Sequence, residues 1–175
     1  MRPKRNHPGD DGTTGTLGKT RLPKYHLRIE TLGCLDEASA SLGMVRAACS
    51  DNLVNGMLKA IQHDLYLIMT EAAIPPGEPI NFSILEKDRV EWLESQNNAL
   101  ASRLPEIHEF IFPGDSLYGA SLALARTIIR RAERRMVELI SSEGSDGNLP
   151  IKYLNRLSSL CFSLELQERD RLALK

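Results

Sequence analysis

The sequence predicts an all-α protein, a bundle of five helices behind an irregular glycine-rich arm. Three observations carry that prediction. Beyond residue 27, apolar residues recur at helical spacing over long segments. Helix stops and starts punctuate those segments: Pro75-Pro76-Gly77, Pro105, Gly144 and Asn148-Leu149-Pro150. No stretch carries a convincing strand alternation. Residues 1–24 hold four glycines and three prolines without periodicity and read as the arm, and residues 25–175 read as one domain.

The first helix is expected from Arg28 to Ala48. The second runs from about Leu53 to Ala73, with Leu58, Ile61, Leu65, Ile68 and Ala72 at helical spacing. Ser83-x-x-Glu86 is a capping box and predicts the start of the third helix, which Pro105 ends near Leu104. The loop HEFIFPGD follows. The fourth helix starts near Asp115 or Ser116 and stops at Gly144, a glycine suited to a left-handed cap. Pro150 fits the first turn of the fifth, which continues toward the C-terminus. The short connections suit antiparallel neighbours.

Gross properties narrow the function. A net charge of −1 provides no basic field for nucleic acid, and the aromatics are sparse. No apolar run reaches the ~20 residues a membrane span needs. The opening MRPKRNHP is basic but lacks a signal peptide's apolar stretch. Cys34, Cys49 and Cys161 show no C-x-x-C spacing and read as reduced core thiols of a cytoplasmic protein, or of the mitochondrial matrix in a eukaryote. His7, His26, His63 and His108 share no metal-ligand spacing, and His63-Asp64 reads as structural.

The fourth helix is the most unusual stretch. ARTIIRRAERRMVEL packs five arginines into ten residues. Leu124, Ile128, Ala132, Met136 and Leu139 are expected to form its apolar stripe. Arg126, Arg130 and Arg134 follow at i, i+4, i+8, a row of roughly 12 Å, about the reach of a triphosphate. Like charges at that spacing cost about 0.2–0.5 kcal/mol per pair, and within the run only Glu133 offsets them. An anion or an acidic partner is expected against this face; the alternative is an ordinary solvated basic face. Asp36 and Glu37, adjacent in the first helix, project ~100° apart, so one can meet an arginine of the fourth helix while the other faces solvent or a metal. Asn155 interrupts an apolar pattern and is either a satisfied core amide or a ligand-facing one. Phe110 and Phe112 read as core anchors or as the wall of a pocket for a flat ligand.

GDDGTTGTLGKT, residues 9–20, nearly spells the G-x-x-x-x-G-K-[ST] phosphate loop, but Gly12 comes one place too early. A genuine loop of that kind follows a buried strand and opens a helix. Neither context exists here, so that reading is rejected. The glycines can still leave backbone N–H groups free to cradle phosphate oxygens, with Thr13, Thr14, Thr16 and Lys19 adding donors.

Together, GDDGTTG, LDE, QHDLY, FIFPG, ARTIIRRAERR and YLNRLS, in this order along nearly the whole chain, resemble the ATP:cob(I)alamin adenosyltransferases of the propanediol-utilisation type. The resemblance implies a homotrimer of five-helix bundles with ATP bound at subunit interfaces. It implies transfer of the 5′-deoxyadenosyl group of ATP to reduced cobalamin, with Mg²⁺ and release of triphosphate. Carried over by position, Gly9, Asp10, Asp11, Gly12, Thr13 and Thr14 wrap the nucleotide, with Lys24 just beyond. Arg130, Glu133 and Arg134 contact ATP, and Asn155 sits near the phosphates and the metal. Asp36 pairs with Arg126 across the interface. Phe110 walls the corrin pocket. Arg126, Arg130, Asp36 and Phe110 are the residues expected to matter for the transfer itself. The chain departs from the family pattern at Ser39, Asp115 and Ser159, and Pro8 removes a backbone donor before the arm. A reductase and a cobalamin-dependent enzyme are the implied protein partners. The competing readings are a non-catalytic nucleotide- or cobalamin-binding bundle, acting as sensor or cofactor chaperone, and a structural oligomer whose arginines meet a neighbour's acids.

Overall fold

The computed structural model describes residues 9–79, 81–105, 110–144 and 147–174. His7, Pro8 and His108 lie outside them. Five helices form: α1 (Leu27–Ala48), α2 (Asn52–Ala72), α3 (Lys87–Ala101), α4 (Leu117–Glu143) and α5 (Leu149–Ala173). α4 packs between α1 and α5, with α2 against α1 and α3 against α5. The shared core includes Leu35, Leu42, Leu65, Leu122, Ile129 and Leu157, all fully buried. Among the described residues, no helix is long and apolar enough to cross a membrane.

Local chemistry explains most of the boundaries. Asp51 caps α2 by accepting from the N–H groups of Leu53 and Val54. Ser116 caps α4 at the N–H of Gly119, and Gly144 ends it at φ 62° in the left-handed region, as expected. Pro150 occupies the first turn of α5. The capping box failed. α3 begins four residues after Ser83, at Lys87, and its cap residue Glu86 makes no side-chain cap bond. Leu85 is 2% exposed. Burying it from non-helical chain outweighs one reciprocal cap, worth roughly 1 kcal/mol against ~1.5–3 for a leucine side chain. α3 also stops at Ala101, short of Leu104.

The arm is more ordered than its glycines suggest. Thr13–Gly15 (β1) pairs antiparallel with Arg21–Pro23 (β2), so the expectation of no strand is corrected. The near-match to a phosphate loop becomes the turn of this hairpin. Leu17 N–H donates to Ala73 O at 3.0 Å, docking the turn on the end of α2. A Cβ on Gly18 would meet Glu78 Cγ at 3.0 Å and Pro75 Cδ at 3.1 Å, so any side chain here would have to push these neighbours back.

Buried polar groups tie the elements together. Arg28 is 3% exposed. It donates to the carbonyls of Ala72 and Ile74, and it pairs with Glu143. It thereby satisfies carbonyls at the C-terminus of α2, which have no partner within the helix. Where α2 meets α3 and α5, Asp64 accepts from Arg89 Nε at 2.9 Å and Nη2 at 2.8 Å. The hydroxyl of buried Tyr153 donates to Asp64 at 2.5 Å. His63-Asp64 is thus structural, through its aspartate.

The three cysteines are free thiols. Burial pushes Cys161 up to about 12. Cys49 differs from the expected core thiol: it is half-buried at the C-terminal cap of α1. Desolvation holds the half-buried Glu71 carboxyl above its ordinary 4.5. Its ionised form therefore favours the unfolded chain. This contribution is least unfavourable below pH 4.5 and worsens as pH rises from there through the elevated native value. Glu71→Gln is expected to raise Tm at pH 7 and to leave it unchanged near pH 3.5, measured by calorimetry at both pH values. A gain confined to acid pH would reverse this assignment.

Candidate functional site

α4 reads differently in three dimensions. Its buried face is Leu122, Ala125, Ile129, Ala132, Met136 and Leu139. Leu124, expected in the stripe, is 49% exposed, and Ile128 is only half-buried. The N-terminal half of the stripe is thus rotated by one position, toward Ala125 and Ile129.

The arginines consequently separate. Arg130 and Arg134 are exposed and line a cleft of about 280 Å³ with Glu133, Val137 and Asn155. Neither forms an ion pair or hydrogen bond with another described residue. Arg131 and Arg135, which the row did not include, are neutralised within the chain. Arg131 pairs with Glu37, and Arg135 with Glu138 at 2.7 Å and Glu30 at 3.9 Å. Of the adjacent acids on α1, Glu37 meets α4, while Asp36 stays exposed without a partner among the described residues.

Arg126 turns the other way, toward α5. Its Nε lies 3.8 Å from Glu165 Oε2 and its guanidinium sits 5.6 Å over the ring of Phe162. Both Arg126 Nε and Glu165 Oε2 are buried without a hydrogen bond. Desolvation raises the Glu165 carboxyl above its ordinary value, and Arg126 opposes that rise. Nothing in the sequence pattern singled out Glu165, one acid among several near the C-terminus. Within the chain, Arg126 therefore rests on Glu165 and not on Asp36.

Asn155 is half-buried and faces the cleft. Its Nδ2 donates to Glu133 Oε1 at 3.0 Å, and its Oδ1 accepts from Arg156 Nη1 at 3.2 Å. Both earlier alternatives hold in part: the amide is satisfied and it borders open space. Its oxygen is engaged by Arg156, so Glu133 is the carboxylate the cleft offers to a cation. Mg²⁺ commonly takes one or two carboxylates and completes its shell with phosphate oxygens and water. The donor set therefore fits a metal carried by a polyphosphate. Among the described residues, no cluster of three or more His, Cys, Asp or Glu side chains could hold a metal.

The arm is shaped by its own contacts. Gly9 and Gly12 take φ values of 114° and 79°, where a side chain would be strained. Gly12 N–H donates to Gly9 O at 3.2 Å, and Lys24 N–H to Gly12 O at 2.9 Å. Asp11 accepts from the N–H and the hydroxyl of Thr13, both at 2.9 Å. These bonds, the backbone one first, hold its carboxyl below the ordinary range. Arg21 Nη2 donates to the same Thr13 hydroxyl at 2.8 Å, so that group is already committed. Asp10 and Lys24 are exposed and Thr14 is half-buried in β1. None of these arm residues lines the cleft, which belongs to α4 and α5.

Phe110 and Phe112 are 77% and 78% exposed, with ring centroids 5.0 Å apart in a T-shaped contact. The core-anchor reading is corrected.

Comparison with known proteins places these features in context. Residues 5–168 match the family described as cobalamin adenosyltransferase. The chain is 34% identical over 161 residues to the corrinoid adenosyltransferase PduO of Salmonella typhimurium, covering 91% of this chain and 48% of that protein. It thus spans about half the length of that relative. It is 38% identical over 161 residues to a cobalamin adenosyltransferase of Cupriavidus metallidurans, covering 89% of this chain and 82% of that one. In structure it resembles a phenylalanine-to-alanine variant of a PduO-type ATP:corrinoid adenosyltransferase from Lactobacillus reuteri, complexed with cobalamin and ATP. That match has a TM-score of 0.85 and 27% identity, covering 92% of this chain and 90% of the other.

Proposed function

The chain belongs to the cobalamin adenosyltransferase family, and on that premise we propose that it transfers the 5′-deoxyadenosyl group of ATP to cob(I)alamin, yielding adenosylcobalamin and triphosphate. The observation that carries the reading is the pair of guanidiniums of Arg130 and Arg134, without a partner among the described residues, facing one cleft with Glu133 and Asn155. A guanidinium fork matches phosphate oxygens in geometry and charge. The attacking cobalt carries no proton, so the chemical demand falls on the leaving group. Preorganised cations beside a departing triphosphate meet that demand. Mg²⁺ enters with ATP as part of the substrate, with Glu133 beside it.

The rest of the site requires a second copy. Gly9, Asp10, Asp11, Gly12, Thr13, Thr14 and Lys24 do not line the cleft of their own chain. In a homotrimer they would close over a neighbour's α4. Arg126, whose side chain is 32% exposed, would turn from Glu165 to engage the exposed Asp36 of an adjoining subunit. The exposed Phe110, with Phe112 beside it, would wall the corrin and help remove the lower axial ligand of cobalt. A reductase supplying Co(I) and a cobalamin-dependent enzyme receiving the product are the partners this chemistry calls for. The free thiols suit a reducing compartment, the cytoplasm or the mitochondrial matrix.

Anaerobic assay tests the reading. Loss of Co(I) absorbance must require the protein, ATP and Mg²⁺ together. A chain that is stabilised by ATP, by about 2.7 kcal/mol at 100 times the dissociation constant, yet forms no adenosylated product is a binder and not a transferase. A chain that does neither is a structural oligomer. The interface pair has its own test. Asp36→Ala and Arg126→Ala should each weaken ATP use, with coupling of about 0.5–3 kcal/mol in a double-mutant cycle. Simple additivity removes the pair.

A further inference from the structure

Behind the cleft, four side chains from three helices form an unbroken hydrogen-bonded line. Arg156 Nε donates to Glu94 Oε1 of α3 at 2.7 Å. Arg156 Nη1 donates to Asn155 Oδ1 at 3.2 Å, and Asn155 Nδ2 donates to Glu133 Oε1 of α4 at 3.0 Å. The chemistry of the end members fixes the direction of every link. A guanidinium has donors only, so the Asn155 atom facing it must be the oxygen. An ionised carboxylate accepts only, so the atom facing Glu133 must be the NH₂ group. Two independent neighbours impose the same amide orientation. Reversing the amide would set oxygen against carboxylate and NH₂ against guanidinium, losing both bonds at once.

We propose that Arg156, anchored by Glu94, is a positioning residue that locks the Asn155 amide and, through it, the Glu133 carboxylate at the wall of the cleft. It acts through Asn155 and does not itself line the cleft. The consequence reaches further than the pocket. α3 contributes no residue to the cleft, yet its Glu94 sets how the cleft presents its polar groups. The nucleotide arm of the test rests on the ATP reading given above; the structural arm does not.

ATP binding to the full chain is measured by calorimetry for the wild type, Glu94→Gln, Arg156→Ala, Asn155→Ala and the Arg156→Ala/Asn155→Ala pair. In parallel, the side-chain amide resonances of Asn155 are followed in the ¹⁵N spectrum of the nucleotide-free protein, identified by their loss in Asn155→Ala. Arg156→Ala should weaken ATP binding about tenfold, the scale of one charged hydrogen bond, and Glu94→Gln less. The double variant should be no weaker than the worse single one. The Asn155 amide pair should move to the shifts of a solvent-exposed amide in Arg156→Ala. Should that variant not fold, Arg156→Lys serves instead, because a single ammonium cannot hold the same two links in fork geometry. Additive losses in the cycle, or unchanged Asn155 resonances, overturn the proposal. The resonances are read without nucleotide. A wild type that binds no ATP therefore defeats the functional reading and leaves Arg156 to be judged by the amide alone.

Discussion

Arg130→Ala is expected to lower kcat/KM for adenosyl transfer by about 10²–10³-fold, the range found when one preorganised donor to a developing negative charge is removed. The same change should leave the melting temperature unchanged or slightly higher. Arg130 is exposed, has no partner among the described residues, and stands at i, i+4 spacing from both Arg126 and Arg134. Removing it deletes like-charge contacts of about 0.2–0.5 kcal/mol each and breaks no native bond. A large catalytic loss without a stability loss is the signature of a residue kept for its ligand. Arg130→Lys retains the charge but not the planar fork, and should fall between wild type and alanine. Co(I) consumption gives the rates and a thermal melt gives the stability. Undiminished kcat/KM in Arg130→Ala would remove Arg130 from the proposed site.

The largest stability effect belongs to a residue with no place in the chemistry. Asp64→Ala is expected to destabilise the fold by about 3–5 kcal/mol, the cost of breaking a buried ion pair from one side. Asp64 is 2% exposed and holds two bonds from Arg89 and one from the hydroxyl of Tyr153, itself fully buried. Its loss strands both donors. Arg89 can partly recover, since its side chain is 28% exposed and stacks 4.2 Å over Trp92. Tyr153 cannot. Urea unfolding of Asp64→Ala and Tyr153→Phe should rank them in that order, with the tyrosine change near 1 kcal/mol. Glu37→Ala is the control. The Glu37–Arg131 pair is about half exposed on both sides, 56% and 46%, and such pairs contribute roughly 0–1 kcal/mol. A loss at Glu37 as large as at Asp64 would contradict this ranking of ion pairs by burial.

The helices were legible because their signals are local. Period, caps and stops at Gly144 and Pro150 depend on neighbours within a turn or two, and the structure keeps them. Errors arose where a distant contact outweighed a local preference. Ser83-x-x-Glu86 satisfies the capping rule, yet the chain gains more by burying Leu85 before α3 begins. The arm's glycines hid a hairpin, because its pairing and its docking on Ala73 and Glu78 are set by residues far along the chain. Phe110 and Phe112 were left open between core and pocket wall because aromatic composition does not say which side of a loop faces water, and their exposure decides against the core.

The candidate site divides the same way. Chain order and spacing alone identify α4 as an arginine-bearing helix whose Arg130 and Arg134 share an edge, since 3.6 residues per turn is a property of the backbone. Which arginines remain available could be decided only by packing. α1 brings Glu30 and Glu37 to Arg135 and Arg131, and α5 brings Glu165 and Phe162 to Arg126. Periodicity places a side chain around its own helix axis. Partners are assigned by the neighbouring helices, and their positions follow from burying one common core.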